Sequence, residues 1–263
     1  MDQQPVVTYE IADRIAVITL NRPDKLNAFD DDMVRALIAA LRRFDTDDEA
    51  LTAIIRGEGR AFTSGADVKA RQARTKEDLA KHGLAGHNAK SSDIFSSALN
   101  WKPVISAVHG YCLGLGVTIA FESDMCVAEE DVKFQITETP RGLSGSGKLI
   151  NVMSYRGRGS FAVDVSITGR FFSGKEAFEA GVVDRVAGKG QAMAVARELA
   201  QQINKNPPLA VRSCIMQRRW ELQDYKAAAL RYDSLNKLHL SEDFAEATRA
   251  FVEKRPHKPW VAR

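Results

Sequence analysis

Two short glycine-bearing segments, Thr63-Ser64-Gly65-Ala66-Asp67 and Gly110-Tyr111-Cys112-Leu113-Gly114-Leu115-Gly116, constrain this chain more than any other feature. Each follows a run that reads as a β-strand, Leu51 to Arg56 before the first and Val104 to Val108 before the second. The second leads into a helix-like stretch, Val117 to Glu122. Glycine allows backbone conformations and close approaches that a Cβ would block. A strand-to-helix turn leaves backbone N–H groups unpaired, and a helix N-terminus favours negative charge. Two such turns brought together make a pair of N–H donors for one oxyanion, which points to catalysis on a carbonyl compound.

The surrounding pattern says what kind of scaffold carries these turns. Val6 to Ile11 and Arg14 to Leu20 read as paired strands around a tight turn at Ala12-Asp13. Asp30 is placed to cap a helix whose apolar residues Met33, Leu37, Ile38, Leu41 and Phe44 recur at helical spacing. Asp124 to Ala128 reads as a further strand, and the polar segment from about Thr75 to Asn100 as partly helical. Strands alternating with helices predict an α/β fold with a mainly parallel sheet. After Gly188 the pattern becomes helical, with helices expected over Gln191–Asn204, Leu209–Trp220, Asp224–Leu238 and Glu242–Phe251.

Bulk properties narrow the function. The 263 residues are 44% hydrophobic and 27% charged, as in an ordinary soluble chain, and the net charge of +3 argues for no nucleic-acid partner. Three cysteines, Cys112, Cys126 and Cys214, lack metal-ligand spacing and read as reduced thiols of a cytoplasmic protein. The N-terminus has no basic region followed by an apolar run, so neither a signal peptide nor a membrane anchor is expected.

The strings RAFTSGADVK (Arg60 to Lys69) and PVISAVHGYCLGLG (Pro103 to Gly116), followed by Asp124, resemble the crotonase family of enoyl-CoA hydratases and isomerases. So do NRPDKLNAF (Asn21 to Phe29), ITGRFFSGKEAFEAGVVDRV (Ile167 to Val186) and AFVEKR (Ala250 to Arg255), in the right order along nearly the whole chain. The resemblance implies a crotonase-like α/β spiral of ββα turns with a C-terminal helical trimerisation region. On that reading residues 1–190 are the acyl-CoA-binding core and residues 191–263 an oligomerisation region of a homotrimer or dimer of trimers. The substrate would be an acyl-CoA thioester of fatty acid metabolism, with no cofactor beyond its coenzyme A.

Carried over by position, the oxyanion donors would be the N–H groups of Ala66 and Leu115. Arg60 and Lys69 would meet the CoA phosphates, Lys25, Leu26 and Ala28 would lie along the CoA, and Ser64 near its adenine. Phe251 and Lys254 would reach the CoA of a neighbouring subunit. Each of the charged residues, taken singly, also fits a solvated surface position.

The chain departs from the hydratase pattern at its acid and base. That pattern has two glutamates; here Thr118 stands at the first position and Glu138 at the second. Threonine is no general base at neutral pH, whereas one carboxylate beside an apolar pocket can shuttle a proton between carbons. The resemblance therefore favours double-bond isomerisation, with hydration or hydrolysis of an unusual acyl-CoA as alternatives, and a non-catalytic acyl-CoA scaffold as a further one. Glu122 shares a helix face with Thr118 but reads as an ion-pair residue, and His82, His87 and Tyr155 are open candidates for the pocket. Gly142 to Lys148 also spells G-x-x-x-x-G-K, but Leu149 follows where a phosphate loop has Ser or Thr, so the match reads as coincidence.

Overall fold

The computed structural model describes residues 4–67, 75–82, 94–98, 101–144 and 148–263. Strands β1 (Val7–Ala12) and β2 (Ile15–Leu20) form the expected hairpin, with Ala12 paired to Ile15. The loop residues are Asp13 and Arg14, at φ 53° and 62°, so the turn falls one residue later than the pattern suggested. Left-handed residues at both loop positions match the twist of the flanking strands.

The remaining strands are β3 (Thr52–Gly57), β4 (Val104–Val108), β5 (Tyr111–Leu113), β6 (Met125–Glu129), β7 (Lys133–Gln135), β8 (Phe171–Phe172) and β9 (Arg185–Ala187). The larger sheet has the order β1-β2-β3-β4-β6-β9, parallel from β2 onward. A smaller sheet, β5-β7-β8, is extended by isolated bridges joining Phe29 to Ala66 and Thr63 to Cys112. Each turn of the chain thus gives one strand to the large sheet and one short segment to the small layer. That is the ββα spiral the resemblance implied.

Period-two alternation explains why these strands are buried on both faces. Ala16, Ile18, Leu20, Ala53, Ile55, Val104 and Val108 join the main core. Their neighbours Ile15, Ile54, Ile105 and Val127 point the other way, against Ala192, Ala196, Leu199 and Ala200 of α8 (Ala192–Asn204). Helix α1 (Asp31–Thr46) packs on the first face through fully buried Met33, Leu37, Leu41 and Phe44. Its start is fixed by Asp30, whose Oδ1 accepts the Met33 N–H at 3.0 Å.

Helices α2 (Lys76–His82) and α3 (Ile94–Ala98) fall in the polar segment, and α4 (Leu115–Glu122) follows the second glycine turn. Helices α5 (Leu149–Arg156), α6 (Gly159–Thr168) and α7 (Gly174–Glu179) lead to β9. Beyond α8, the two helices read separately as Leu209–Trp220 and Asp224–Leu238 are one, α9 (Pro208–Asn236). No glycine or proline interrupts Glu221-Leu222-Gln223, so nothing in the backbone ends the helix there. Buried Asp124 anchors α9 to the core: its carboxylate accepts Arg218 Nη1 and Arg219 Nε, each at 3.0 Å, and the Val104 N–H at 2.8 Å. The chain ends on α10 (Glu242–Glu253) and its tail. No described helix is long and apolar enough to cross a membrane.

Candidate active site

The two glycine turns meet. Gly65 has φ +86°, and a Cβ placed on it would stand 2.5 Å from the Leu113 carbonyl oxygen and 3.4 Å from the Leu115 nitrogen. Only glycine permits both that dihedral and that approach. The Phe29–Ala66 bridge is made by Phe29 N–H to Gly65 O and Asp67 N–H to Phe29 O, both at 2.8 Å. Those bonds flank Ala66, so its own N–H points away from Phe29. Leu115 opens α4, where the first N–H groups have no carbonyl a turn behind them. Among the described residues, neither the Ala66 nor the Leu115 N–H donates to a backbone or side-chain acceptor. Two free donors from adjoining turns can hold one negatively charged oxygen.

Polar bonds hold this arrangement in place. Thr63 Oγ1 accepts the Gly65 N–H at 3.0 Å and donates to Asn27 O at 2.7 Å. Asn27 is fully buried at φ 54°; its Nδ2 donates to the carbonyls of Glu58 and Ala61 at 2.9 Å, and its Oδ1 accepts the Arg22 N–H at 2.8 Å. Ser64 N–H donates to Leu26 O at 2.8 Å. Lys25, Leu26, Ala28 and Ser64 are therefore brought alongside Ala66. Lys25 and Arg60 are both exposed, and Gly59 abuts Pro23, which sets the two cations on neighbouring segments. Lys69 and His87 lie outside the described residues, as does the side chain of His82. Asn27 was missed in the sequence, where its only signal was a place between Leu26 and Ala28.

Glu138 stands at the same turn. Gly114 N–H donates to Gln135 O at 2.9 Å, tying the second turn to the end of β7. A Cβ on Gly114, at φ +49°, would lie 2.6 Å from Thr137 Oγ1 and 3.4 Å from Glu138 Oε1. The half-buried Glu138 carboxylate thus packs directly on the backbone that presents the Leu115 N–H. A 3-10 turn, Thr139–Arg141, follows, and Glu138 O accepts the N–H groups of Arg141 and Leu143 at 2.9 Å. Burial lowers the Arg141 guanidinium from its ordinary value, opposed by the Glu138 charge. The Arg141 guanidinium also rests 4.3 Å over the Phe251 ring of α10, so α10 covers the Glu138 turn of its own chain. Lys254, the left-handed residue ending α10, is exposed.

Glu122 is not a second acid. It is 3% exposed and sits between two buried ammoniums, with Lys148 Nζ 2.5 Å from Oε1 and Lys226 Nζ 3.0 Å from Oε2. Neither pairing with Glu122 was readable in the sequence, because both lysines lie far from it along the chain, and Lys148 is spent here rather than free for a phosphate. Tyr155 donates to Glu221 on α9 at 3.0 Å, outside the oxyanion turns. Burial pushes the Cys112 thiol well up and Cys126 up to about 12, so both stay protonated and unreactive at neutral pH.

A spiral of ββα turns thus brings two unpaired backbone N–H groups and a carboxylate to one place. Residues 10–261 match the enoyl-CoA hydratase/isomerase family. Enoyl-CoA hydratase EchA19 of Mycobacterium tuberculosis is 34% identical over 245 residues, covering 91% of this chain and 90% of that protein. The mevalonyl-coenzyme A hydratase sidH of Aspergillus fumigatus is 34% identical over 254 residues, covering 92% of this chain and 89% of the relative. A carnitinyl-CoA hydratase structure from Mycobacterium avium superimposes with TM-score 0.80 at 27% identity, covering 99% of this chain and 100% of that one. The chain belongs to the enoyl-CoA hydratase/isomerase family and is an enzyme of the crotonase superfamily.

Proposed function

We propose that this enzyme moves a proton at the α- or γ-carbon of an enoyl-CoA thioester, with Glu138 as its one carboxylate base and double-bond isomerisation as its reaction. One observation carries the reading: Glu138 packs on the Gly114 turn, while the carboxylate of α4, Glu122, is committed to two lysines. Loss of the α-proton puts negative charge on the thioester oxygen, where the Ala66 and Leu115 N–H groups receive it. Each such donor is worth about 10²–10³ in rate. Glu138 then returns the proton to the γ-carbon, and the double bond has moved.

Coenzyme A enters as part of the substrate. Its phosphates would meet Arg60 and Lys69, Lys25, Leu26 and Ala28 would lie along it, and its adenine would sit near Ser64. Phe251 and Lys254 are assigned to the CoA of a neighbouring subunit. A trimer or dimer of trimers, located in the cytoplasm, completes the reading. Its support is apolar exposure: Val163 (45%) and Ile167 (64%) lie one turn apart on α6, and Leu209 (76%), Met216 (41%) and Trp220 (69%) form one stripe on α9.

The test is Glu138→Gln, which should abolish turnover of an enoyl-CoA panel and α-proton exchange of butyryl-CoA in deuterated water while CoA binding persists. Unchanged exchange refutes the single base. A second reading, hydration, is favoured by the names of the relatives at 34% identity.

A further inference from the structure

Arg141 closes the 3-10 turn that begins at Glu138, and its N–H donates to Glu138 O at 2.9 Å. Glu138 itself has helical dihedrals, φ −69° and ψ −51°. Side chains three residues apart on a 3-10 turn eclipse one another, so the guanidinium and the carboxylate leave the same edge of this turn. Thr137 ties the two together. Arg141 Nη1 donates to Thr137 Oγ1 at 3.4 Å, and that oxygen and Glu138 Oε1 lie 2.6 and 3.4 Å from one point, the Cβ position of Gly114. The Glu138 charge accordingly acts on Arg141 and opposes the effect of burial on it.

Helix α10 fixes the cation there. Gly142, at φ +73°, lies against the backbone of Phe244, where a Cβ would stand 2.9 Å from the Phe244 Cα. Two turns further along α10, the Phe251 ring carries the guanidinium at 4.3 Å. A guanidinium stacks on an aromatic face and stays protonated. The other charges on the elements packed around this turn are engaged elsewhere or face solvent. On α10, Glu242 pairs with Arg263, Asp243 accepts the N–H groups of Val261 and Ala262, and Glu246 and Glu253 pair with Arg255. Arg249 and Lys254 are exposed. Asp164 of α6 pairs with Arg170, and Glu122 of α4 with Lys148 and Lys226.

We propose that Arg141 is a positioning residue for the base: its guanidinium, seated on α10, keeps the Glu138 carboxylate ionised and ready to take the α-proton. The proposal rests on Glu138 being the base assigned above. A nearby opposite charge favours the ionised carboxylate, whereas burial beside an apolar pocket favours the acid. Arg141 exchanges no proton; Glu138 takes it from the α-carbon and gives it to the γ-carbon. Because one guanidinium touches both the base turn and Phe251, docking of the C-terminal helix is coupled to the charge of the base.

The experiment follows α-proton exchange of butyryl-CoA against pH in wild type, Arg141→Leu, Arg141→Lys and Glu138→Gln. The acidic limb of kcat/KM reports ionisation of the free enzyme's base. Its midpoint should rise by about one pH unit in Arg141→Leu, the low end of what one adjacent opposite charge supplies. It should return toward wild type in Arg141→Lys, which keeps the charge. Arg141→Gln, polar and neutral, makes the same comparison where the leucine variant does not fold. An unmoved midpoint overturns the role of Arg141 and leaves the base in place, since a lower plateau alone is what a merely structural residue would give. Wild type that exchanges no α-proton, or Glu138→Gln that exchanges as fast, overturns the base and this proposal with it.

Discussion

Replacing Glu122 by leucine removes the carboxylate that lies between two buried ammoniums while keeping about the same volume. At an effective dielectric of about 20, contacts of 2.5 and 3.0 Å correspond to about 7 and 6 kcal/mol of attraction. Desolvation of the three ions offsets most of that gain, since the Glu122 and Lys148 side chains are only 2% and 1% exposed. The variant keeps the desolvation of two lysines and loses the attraction that compensated it. Removing one partner of a buried pair in this way costs about 3–5 kcal/mol. At about 2 °C per kcal/mol for a chain of this size, the melting temperature should fall by about 6–10 °C. Differential scanning calorimetry at neutral pH measures it directly. A triple variant, Glu122→Leu with Lys148→Met and Lys226→Met, should recover most of the loss, because no ion then remains buried. A single variant melting within about 2 °C of wild type would refute the reasoning, since the cluster would then contribute no more than an exposed ion pair.

Other outcomes follow from the same structure. Gly114→Ala should lower turnover at least tenfold, because its Cβ would meet Thr137 Oγ1 at 2.6 Å and crowd Glu138; steady-state kinetics reads it. Lys102 is 1% exposed, and its Nζ donates to the carbonyls of Phe44, Asp47 and Ala50 at 2.7–3.0 Å. Lys102→Met should therefore destabilise by about 3 kcal/mol, measured by urea denaturation, because three buried carbonyls lose their donor. The Arg255 guanidinium and the Lys258 N–H hold Glu246 down to about 2, below its ordinary 4.5. This tether of the C-terminal tail should be present above pH 4.5 and lost as pH falls through 2, so amide exchange of residues 255–263 should accelerate across that window. Asp30→Ala should cost about 1 kcal/mol through loss of the α1 cap, again by denaturation.

Much of the fold was legible because its signals are local. The hairpin, the capped α1, the parallel strands and the helical C-terminus each announce themselves in a few consecutive residues. The errors were local too: a turn placed one residue early, and a helix divided where no glycine or proline divided it. The candidate site was legible in part. Gly65 and Gly114 mark the two turns, and Glu138 stood out as the one carboxylate at a position where the family pattern has one. The contacts of Asn27 with Glu58, and of Lys148 and Lys226 with Glu122, were not legible, because they span 26 to 104 residues of chain.

By itself the sequence determined that two glycine turns follow strands, and its resemblance put Glu138 at one of the family's two glutamate positions and Thr118 at the other. A chain can specify this because dihedral preference and hydrophobic period act over one or two turns of backbone. Only the tertiary structure decided that the two turns touch, that Glu122 belongs to two lysines, and that the Thr118 hydroxyl is buried without a hydrogen-bond partner among the described residues. Those are facts of packing, where distant segments compete for the same buried space and each polar atom either finds a partner or is left to a ligand.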